Sequence, residues 1–334
     1  MPTYKDSGVD FNTISRFRNA LVDELKFSGE GHKRAIKIGH YAGLVSFMGG
    51  YLALHTDGVG TKTIMAKEFN YFDEIGYDLV GMNVNDIISI GAEPIAMVDY
   101  IASSDFDENQ GRMIGKSINA ACAEAGIPVV GGETASVPDL IRGIDISGTA
   151  VGFVKEGEEI DGREIIAGDR IIGLPSNGFH SNGFSLIRKI YENKRNRLED
   201  EINGTPLWRL LLRGTTIYSK RIFGILEETE IHGMAHITGG GFRNIPRLGQ
   251  KLFEIKIPNI PEIFRVVTEE GSIPPKEAFK TFNMGIGFVI ISPKSEVDNI
   301  FDSLKILNPV ELGVVKEGNG VFIQNYGIKY SGYY

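Results

Sequence analysis

Between Asp10 and Leu25 the apolar residues Ile14, Phe17, Leu21 and Leu25 recur at steps of three and four, the period of one helix face. Asp10 stands where a helix cap is wanted, so a capped amphipathic helix is predicted over 10–25. The residues before it are polar and glycine-containing and read as an arm outside any core. Downstream the pattern tightens into short apolar runs. Strands are predicted at Tyr51–His55, Ile95–Ala102, Ile127–Val130 and Ile144–Val154. Helices are predicted at Tyr77–Ile90 and Gln110–Ala125, the second stopped by Gly126.

The charged, glycine-punctuated segment Lys155–Asp169 interrupts this pattern and is the best place to divide the chain, into domains spanning 1–165 and 166–334. A length of 334 residues already asks for two cores. After the break come a strand at Arg170–Leu174 and a loop, Ser176-Asn177-Gly178-Phe179-His180-Ser181-Asn182-Gly183, opening a helix at Phe184–Lys194. His236-Ile237-Thr238-Gly239-Gly240-Gly241 opens another helix, and late strands are predicted at Gly285–Ile291 and Val321–Gln324. Strands and helices alternate too irregularly for a Rossmann or TIM arrangement, and the fold class is α+β. Gly152-Phe153-Val154 and Gly287-Phe288-Val289 hint that the two halves repeat one unit.

Composition narrows the function. A hydrophobic content of 42% and a charged content of 23% are those of a globular protein. The 42 glycines are about one residue in eight and cluster in short motifs, which suits phosphate-binding loops. A net charge of −8, with no Lys/Arg block, argues against a nucleic-acid partner. The single Cys122 excludes an intrachain disulfide and reads as a buried core thiol. With no apolar leader run and no membrane-length apolar stretch, a cytoplasmic location is expected.

Three motifs carry candidate chemistry: Asp57-Gly58-Val59-Gly60-Thr61-Lys62, Asn83-Val84-Asn85-Asp86 and Gly131-Gly132-Glu133-Thr134. Each places a carboxylate at or just beyond a short apolar run, beside glycine or asparagine. Taken singly each is an ordinary turn. Together Asp57, Asp86 and Glu133 offer the oxygen ligands of a hard divalent cation, with Lys62 as a point charge for phosphate. A Walker-type loop is excluded, because Thr61 separates Gly60 from Lys62 and no glycine lies five residues before Gly60.

In that light the chain resembles the phosphoribosylformylglycinamidine cyclo-ligases, the aminoimidazole ribonucleotide (AIR) synthetase family. Seven motifs carry the likeness in order along nearly the whole chain: Tyr4-Lys5-Asp6-Ser7-Gly8-Val9; Asp57 to Lys62; Asn85-Asp86 with Gly91-Ala92-Glu93-Pro94; Gly131-Gly132-Glu133-Thr134-Ala135; Gly178 to Gly183; His236 to Gly241; and Thr281-Phe282-Asn283-Met284-Gly285-Ile286-Gly287. The resemblance implies two α+β domains of the AIR-synthetase superfamily. It also implies N-terminal domains that pair across a homodimer into a β-barrel, with ATP near that interface. It places Mg2+ on Asp57, Asp86 and Glu133, and the nucleotide among Lys5, Asp57, Gly58, Gly60, Thr61, Lys62, Asn85, Asp86 and Glu133. It puts the substrate against His180, Ser181, Asn182 and Gly183. Three departures stand out: Gly39-His40-Tyr41-Ala42-Gly43 replaces the family's glycine-rich turn, Gly214-Thr215-Thr216 replaces a Pro-Thr-Arg, and Lys280 replaces an arginine.

The implied reaction is ATP-dependent cyclisation of formylglycinamidine ribonucleotide to 5-aminoimidazole ribonucleotide in de novo purine (IMP) biosynthesis, releasing ADP and phosphate. An amide oxygen leaves poorly, so its phosphorylation to an iminophosphate would precede ring closure, with catalysis resting on positioning and charge. Lys5, Asp57 and His180 are the candidate catalytic groups. His180 can be read either as a proton carrier, its ordinary pKa of ~6.5 lying near working pH, or as a loop-ordering residue. His236, beside its glycine turn, reads as structural. The rivals are other ATP-using members of the superfamily, such as thiamine-phosphate kinase, and a non-catalytic nucleotide-binding dimer. The Tyr4-Lys5-Asp6 arm and the His180 loop favour the cyclo-ligase.

Overall fold

The computed structural model describes residue 8 and residues 10–36 and 38–332. Strands β1 (Gly43–Phe47), β2 (Gly50–Gly58), β3 (Glu93–Ser103), β4 (Val129–Ser136) and β5 (Ile144–Lys155) form a five-stranded sheet in the order β1-β2-β5-β3-β4. All its neighbours are antiparallel except β3 and β4, the pair joined by a helical crossover. That crossover is α4 (Glu108–Ala125), whose first turn is capped by Asp107 accepting from the Gln110 amide and which ends at left-handed Gly126.

Helices α3 (Ile75–Ile88) and α4 cover one face of this sheet, and the short α2 (Lys62–Glu68) precedes α3. The period-two alternation of β2 turns Ala53, His55 and Asp57 toward α3 and Leu54 and Thr56 away. The far face carries Leu54, Val98 and Tyr100, 40–44% exposed.

Helix α3 is apolar nearly all round, as a helix buried on every side must be. Two glycines permit its close packing. A Cβ on Gly76 would fall 2.1 Å from the Ile118 nitrogen of α4, and one on Gly81 would fall 2.7 Å from Cγ2 of Thr215 in the second half. The helix is thus wedged between both halves of the molecule.

The second sheet has seven strands: β6 (Arg170–Pro175), β7 (Gly233–His236), β8 (Leu252–Ile255), β9 (Ile286–Ser292), β10 (Val310–Lys316), β11 (Gly320–Ile323) and β12 (Ile328–Tyr330), ordered β12-β11-β8-β10-β6-β9-β7. Every residue of β9 is buried, and it sits between β6 and β7. Helix α5 (Phe184–Tyr191) and a 3₁₀ segment, Gly241–Leu248, start at Gly183 and Gly240, both left-handed. Helix α1 (Phe11–Glu24) forms as its periodicity requires. Its apolar residues Phe17 and Leu21 remain more than half exposed. Cys122 is buried against Met97, which pushes its thiol up to about 11.

Candidate active site

A cavity of about 310 Å³ opens where the two sheets' loops meet. The first half supplies His55, Asp57, Gly58, Gly60 and Asp86; the second supplies Ser181, Asn182, Gly183, Thr238, Gly239 and Arg247. Asp57 and His55 are two apart on β2 and therefore face the same way. Asp57 turns one carboxylate oxygen back to accept from the Gly58 amide at 2.7 Å. Burial raises its pKa, opposed by the neighbouring His55.

Asp86, on α3, is gripped from both sides. His55 Nε2 lies 3.1 Å from Oδ2, and His236 Nδ1 lies 2.7 Å from Oδ1. Burial alone would raise this carboxyl, but the two imidazoles hold it well below the usual carboxylate range. His55 responds in the opposite sense: burial would lower it, and Asp86 raises it. Its other nitrogen, Nδ1, meets Asn83 Oδ1 at 3.2 Å. His236 is thus more than a turn-side structural residue, since it ties the second half of the molecule to the acid of the first.

Several expected contacts are absent. Glu133 lies on the exposed edge strand β4, in the row Glu133–Tyr100–Ser147–Gly58. Three strand spacings put it roughly 14 Å from Gly58. No group of three His, Cys, Asp or Glu side chains suited to a metal occurs among the described residues. The three carboxylates therefore do not converge within one protomer. Lys62 does not face the cavity either: it is fully buried, with Nζ 2.6 Å from Asp78 Oδ2. Asn85 is also turned from the cavity, donating to Thr216 O at 2.9 Å and accepting from the Tyr218 amide at 2.9 Å. The Thr61 hydroxyl is paired with Ser185 Oγ at 3.0 Å. Lys5 lies outside the described residues.

The His180 loop is split in the same way. Ser181, Asn182 and Gly183 line the cavity, but the His180 ring is fully buried behind them. His180 adopts φ +56°, a left-handed conformation that costs a non-glycine residue about 1–2 kcal/mol. Burial first, then His236 and Lys62, push its pKa well below 6.5. The enclosed ring, whose Nε2 accepts from the Thr216 amide at 3.4 Å, favours the loop-ordering reading of the two. Asn182 Nδ2, on the cavity wall, is buried with no partner among the described residues, a donor left for a ligand. Asn283 fixes the far end of this loop, donating to Gly178 O at 2.9 Å while its Oδ1 accepts from Ser176 Oγ and the Gly285 amide.

His55, Thr238 and Arg247 were missed in the sequence. His55 carried a signal in its two-residue spacing from Asp57, and Thr238 in its place within the His236–Gly241 motif; Arg247 carried none.

Two unlike α+β units meeting over such a cavity, acids and glycine turns on one wall and a Ser-Asn-Gly loop on the other, define a two-domain enzyme that works at the junction. Residues 39–154 match the model of the AIR synthase related protein N-terminal domain, and residues 167–324 match that of its C-terminal domain. The chain belongs to the AIR synthase related family. It is 44% identical to the phosphoribosylformylglycinamidine cyclo-ligase of Pyrococcus horikoshii over 334 residues, covering 98% of this chain and 99% of that one. It is also 44% identical to the enzyme of the same name from Methanocaldococcus jannaschii, covering 92% and 89%. Among solved structures, a chain of the HypE–HypF complex aligns with a TM-score of 0.72 at 20% identity, covering 94% of this chain and 98% of that one. AaThiL complexed with AMPPCP and TMP aligns with a TM-score of 0.67 at 19% identity, covering 97% and 96%. These two share the fold.

Proposed function

We propose that the protein is an ATP-dependent phosphoribosylformylglycinamidine cyclo-ligase. It closes formylglycinamidine ribonucleotide to 5-aminoimidazole ribonucleotide in de novo purine biosynthesis, releasing ADP and phosphate. One observation carries this reading: a cavity walled by Asp57, Gly58, Gly60 and Asp86 on one side and Ser181, Asn182 and Gly183 on the other, in a chain 44% identical along nearly its whole length to enzymes of that name. The γ-phosphoryl of ATP goes to the formamide oxygen, making an iminophosphate. Attack by the amidine nitrogen then closes the ring and expels phosphate. No covalent link to the protein is needed, so the protein's task is to hold the reacting groups in line and offset their charge.

Asp57 and Asp86 fit a magnesium ion, which commonly takes one or two carboxylates and completes its shell with phosphate oxygens and water. Mg2+ held there would neutralise charge on the triphosphate. Asp57 is the readier ligand, because Asp86 must first loosen its hold on His55. Gly60, left-handed at φ +68°, lets the backbone come close to phosphate, and Asn182 Nδ2 supplies a donor to the substrate. Lys5, on the arm, closes over the nucleotide, and domain 1–165 binds ATP while 166–334 completes the cleft. The bare apolar face of the first sheet supports a homodimer closed into a β-barrel. No helix among the described residues is long and apolar enough to cross a membrane, which suits a cytoplasmic enzyme.

The test is release of ADP and phosphate with formylglycinamidine ribonucleotide, compared with thiamine phosphate. Turnover with the first alone is expected. Turnover with thiamine phosphate instead would transfer the reading to a kinase of the same fold.

A further inference from the structure

The sequence motif offers Lys62 as a phosphate ligand, yet its ammonium is enclosed and fully used. An ammonium has three donors. Lys62 Nζ reaches Asp78 Oδ2 at 2.6 Å, His180 O at 3.0 Å and Arg213 O at 2.6 Å, and lies over the Phe184 ring at 5.2 Å. Asp78 uses its second oxygen to accept from Thr215 Oγ1 at 2.8 Å. Lys62 and Asp78 belong to the first half of the chain; His180, Arg213 and Thr215 belong to the second. The two carbonyls it binds come from two separate segments of the second half, at His180 and at Arg213.

The geometry at His180 gives this contact its consequence. A non-glycine residue at φ +56° stays there only if its surroundings reward it. That conformation aims the His180 carbonyl inward, at Nζ, while the next three residues continue to the cavity wall. Two residues before Lys62, Gly60 forms part of the opposite wall. One buried side chain thus sets the separation of the two walls.

We infer that Lys62 is a positioning residue: with Asp78 it forms an interdomain strut that holds the Ser181–Gly183 loop in register with the Asp57–Gly60 loop, and it does not bind phosphate. This rests on the functional reading above only for its kinetic arm.

The experiment uses the full chain carrying Lys62→Met together with Asp78→Leu, which removes both buried charges at once. Deleting a buried pair in favour of apolar residues is often neutral for stability, whereas deleting one member is not. The expected result has three parts. The thermal midpoint stays near the wild type. Amide exchange over 178–183 accelerates by about tenfold or more, as for a locally released segment. Turnover falls about 10–100-fold through lost alignment, while titration with an ATP analogue and Mg2+ gives a Kd within about threefold of the wild type. Loss of nucleotide affinity with unchanged exchange at 178–183 would overturn the inference and make Lys62 a phosphate ligand. Unchanged exchange together with unchanged kcat/KM would overturn it too, leaving a merely structural pair. Should the double variant not fold, Lys62→Gln, which keeps two donors for the two carbonyls, takes its place: retained nucleotide affinity supports the strut, and lost affinity overturns it. A wild-type protein without cyclo-ligase turnover would defeat the functional reading, and the exchange and nucleotide arms would still decide the role of Lys62.

Discussion

Asp86 and His236 meet across the two halves of the molecule at 2.7 Å, and the same carboxylate meets His55 at 3.1 Å. One acid therefore serves both the cavity and the join between domains, whereas the Asp57 carboxylate accepts from the adjoining Gly58 amide and faces the cavity. The two acids should part company on substitution. Asp57→Asn is expected to lower Mg-ATP-dependent turnover by about 10²–10³-fold with little change in melting temperature. Asp86→Asn should lose turnover and also about 1–3 kcal/mol of stability, because two buried imidazoles lose their charged partner. Paired melting and rate measurements check this, and equal melting losses in both variants would refute it.

The His180 ring is enclosed, and burial, His236 and Lys62 all disfavour its charged form. Its removal should leave the shape of the pH–rate profile unchanged between pH 5 and 8. His180→Asn should instead act through the loop, raising KM for the ribonucleotide substrate more than KM for ATP. A flattened profile in that variant would restore the proton-carrier role.

Much of this could be read from the sequence, and the failures share a cause. Helices α1, α3 and α4 and strands β2, β3, β5, β6 and β9 appear close to their predicted places because each has a strong period or a long apolar run. Strands β1, β8 and β10 are short or polar-interrupted, and only their partners make them strands. At the site, Asp57 and Ser181 to Gly183 line the cavity as the motifs suggest. Lys62, Asn85 and His180 carry the same chemistry in sequence but spend it on the other half of the chain. A motif shows which groups are present, while the partners that turn them aside, such as His180 O for Lys62 and Thr216 O for Asn85, lie more than a hundred residues away.

A second histidine sets the pH response of stability away from the cavity. His232 Nδ1 meets Asp169 Oδ2 at 2.7 Å and Nε2 meets Glu230 Oε1 at 2.9 Å. Burial lowers its pKa, but the two carboxylates outweigh it and the net shift is upward. A raised folded-state value means stabilisation that is full below about pH 6.5, the unfolded value, and fades as pH rises through the folded one. The melting deficit of His232→Gln should thus be larger at pH 5.5 than at pH 9. A constant deficit would show that His232 contributes packing alone.

The exposed face of the first sheet predicts self-association. Leu54, Val98 and Tyr100 lie on strands β2 and β3, on the side away from α3, and each is 40–44% exposed among the described residues. Val98→Lys with Tyr100→Glu should leave the protomer folded, since neither side chain belongs to its core, and should shift light-scattering mass from dimer to monomer. A wild-type chain that is monomeric at micromolar concentration would remove the barrel from the proposal.

Glu133 gives the sharpest test of that arrangement. It sits on the exposed edge strand of the same sheet, roughly 14 Å from Gly58 at about 4.8 Å per strand, too far to share an ion with Asp57 in one protomer. If it helps to hold the Mg-nucleotide, it must do so from the other subunit, and each site is then built from two chains. Asp57→Asn and Glu133→Gln should each be inactive as pure homodimers. Mixed in equal amounts and allowed to exchange subunits, they should recover roughly a quarter of wild-type activity. Half the dimers are then mixed, and in each of these one site receives both substitutions and the other neither. Recovery would place Glu133 across the interface. If Glu133→Gln alone is fully active, the residue has no part in the site. If both variants are inactive and mixing restores nothing, the two acids act within one chain, and the sheet must rearrange to bring them together.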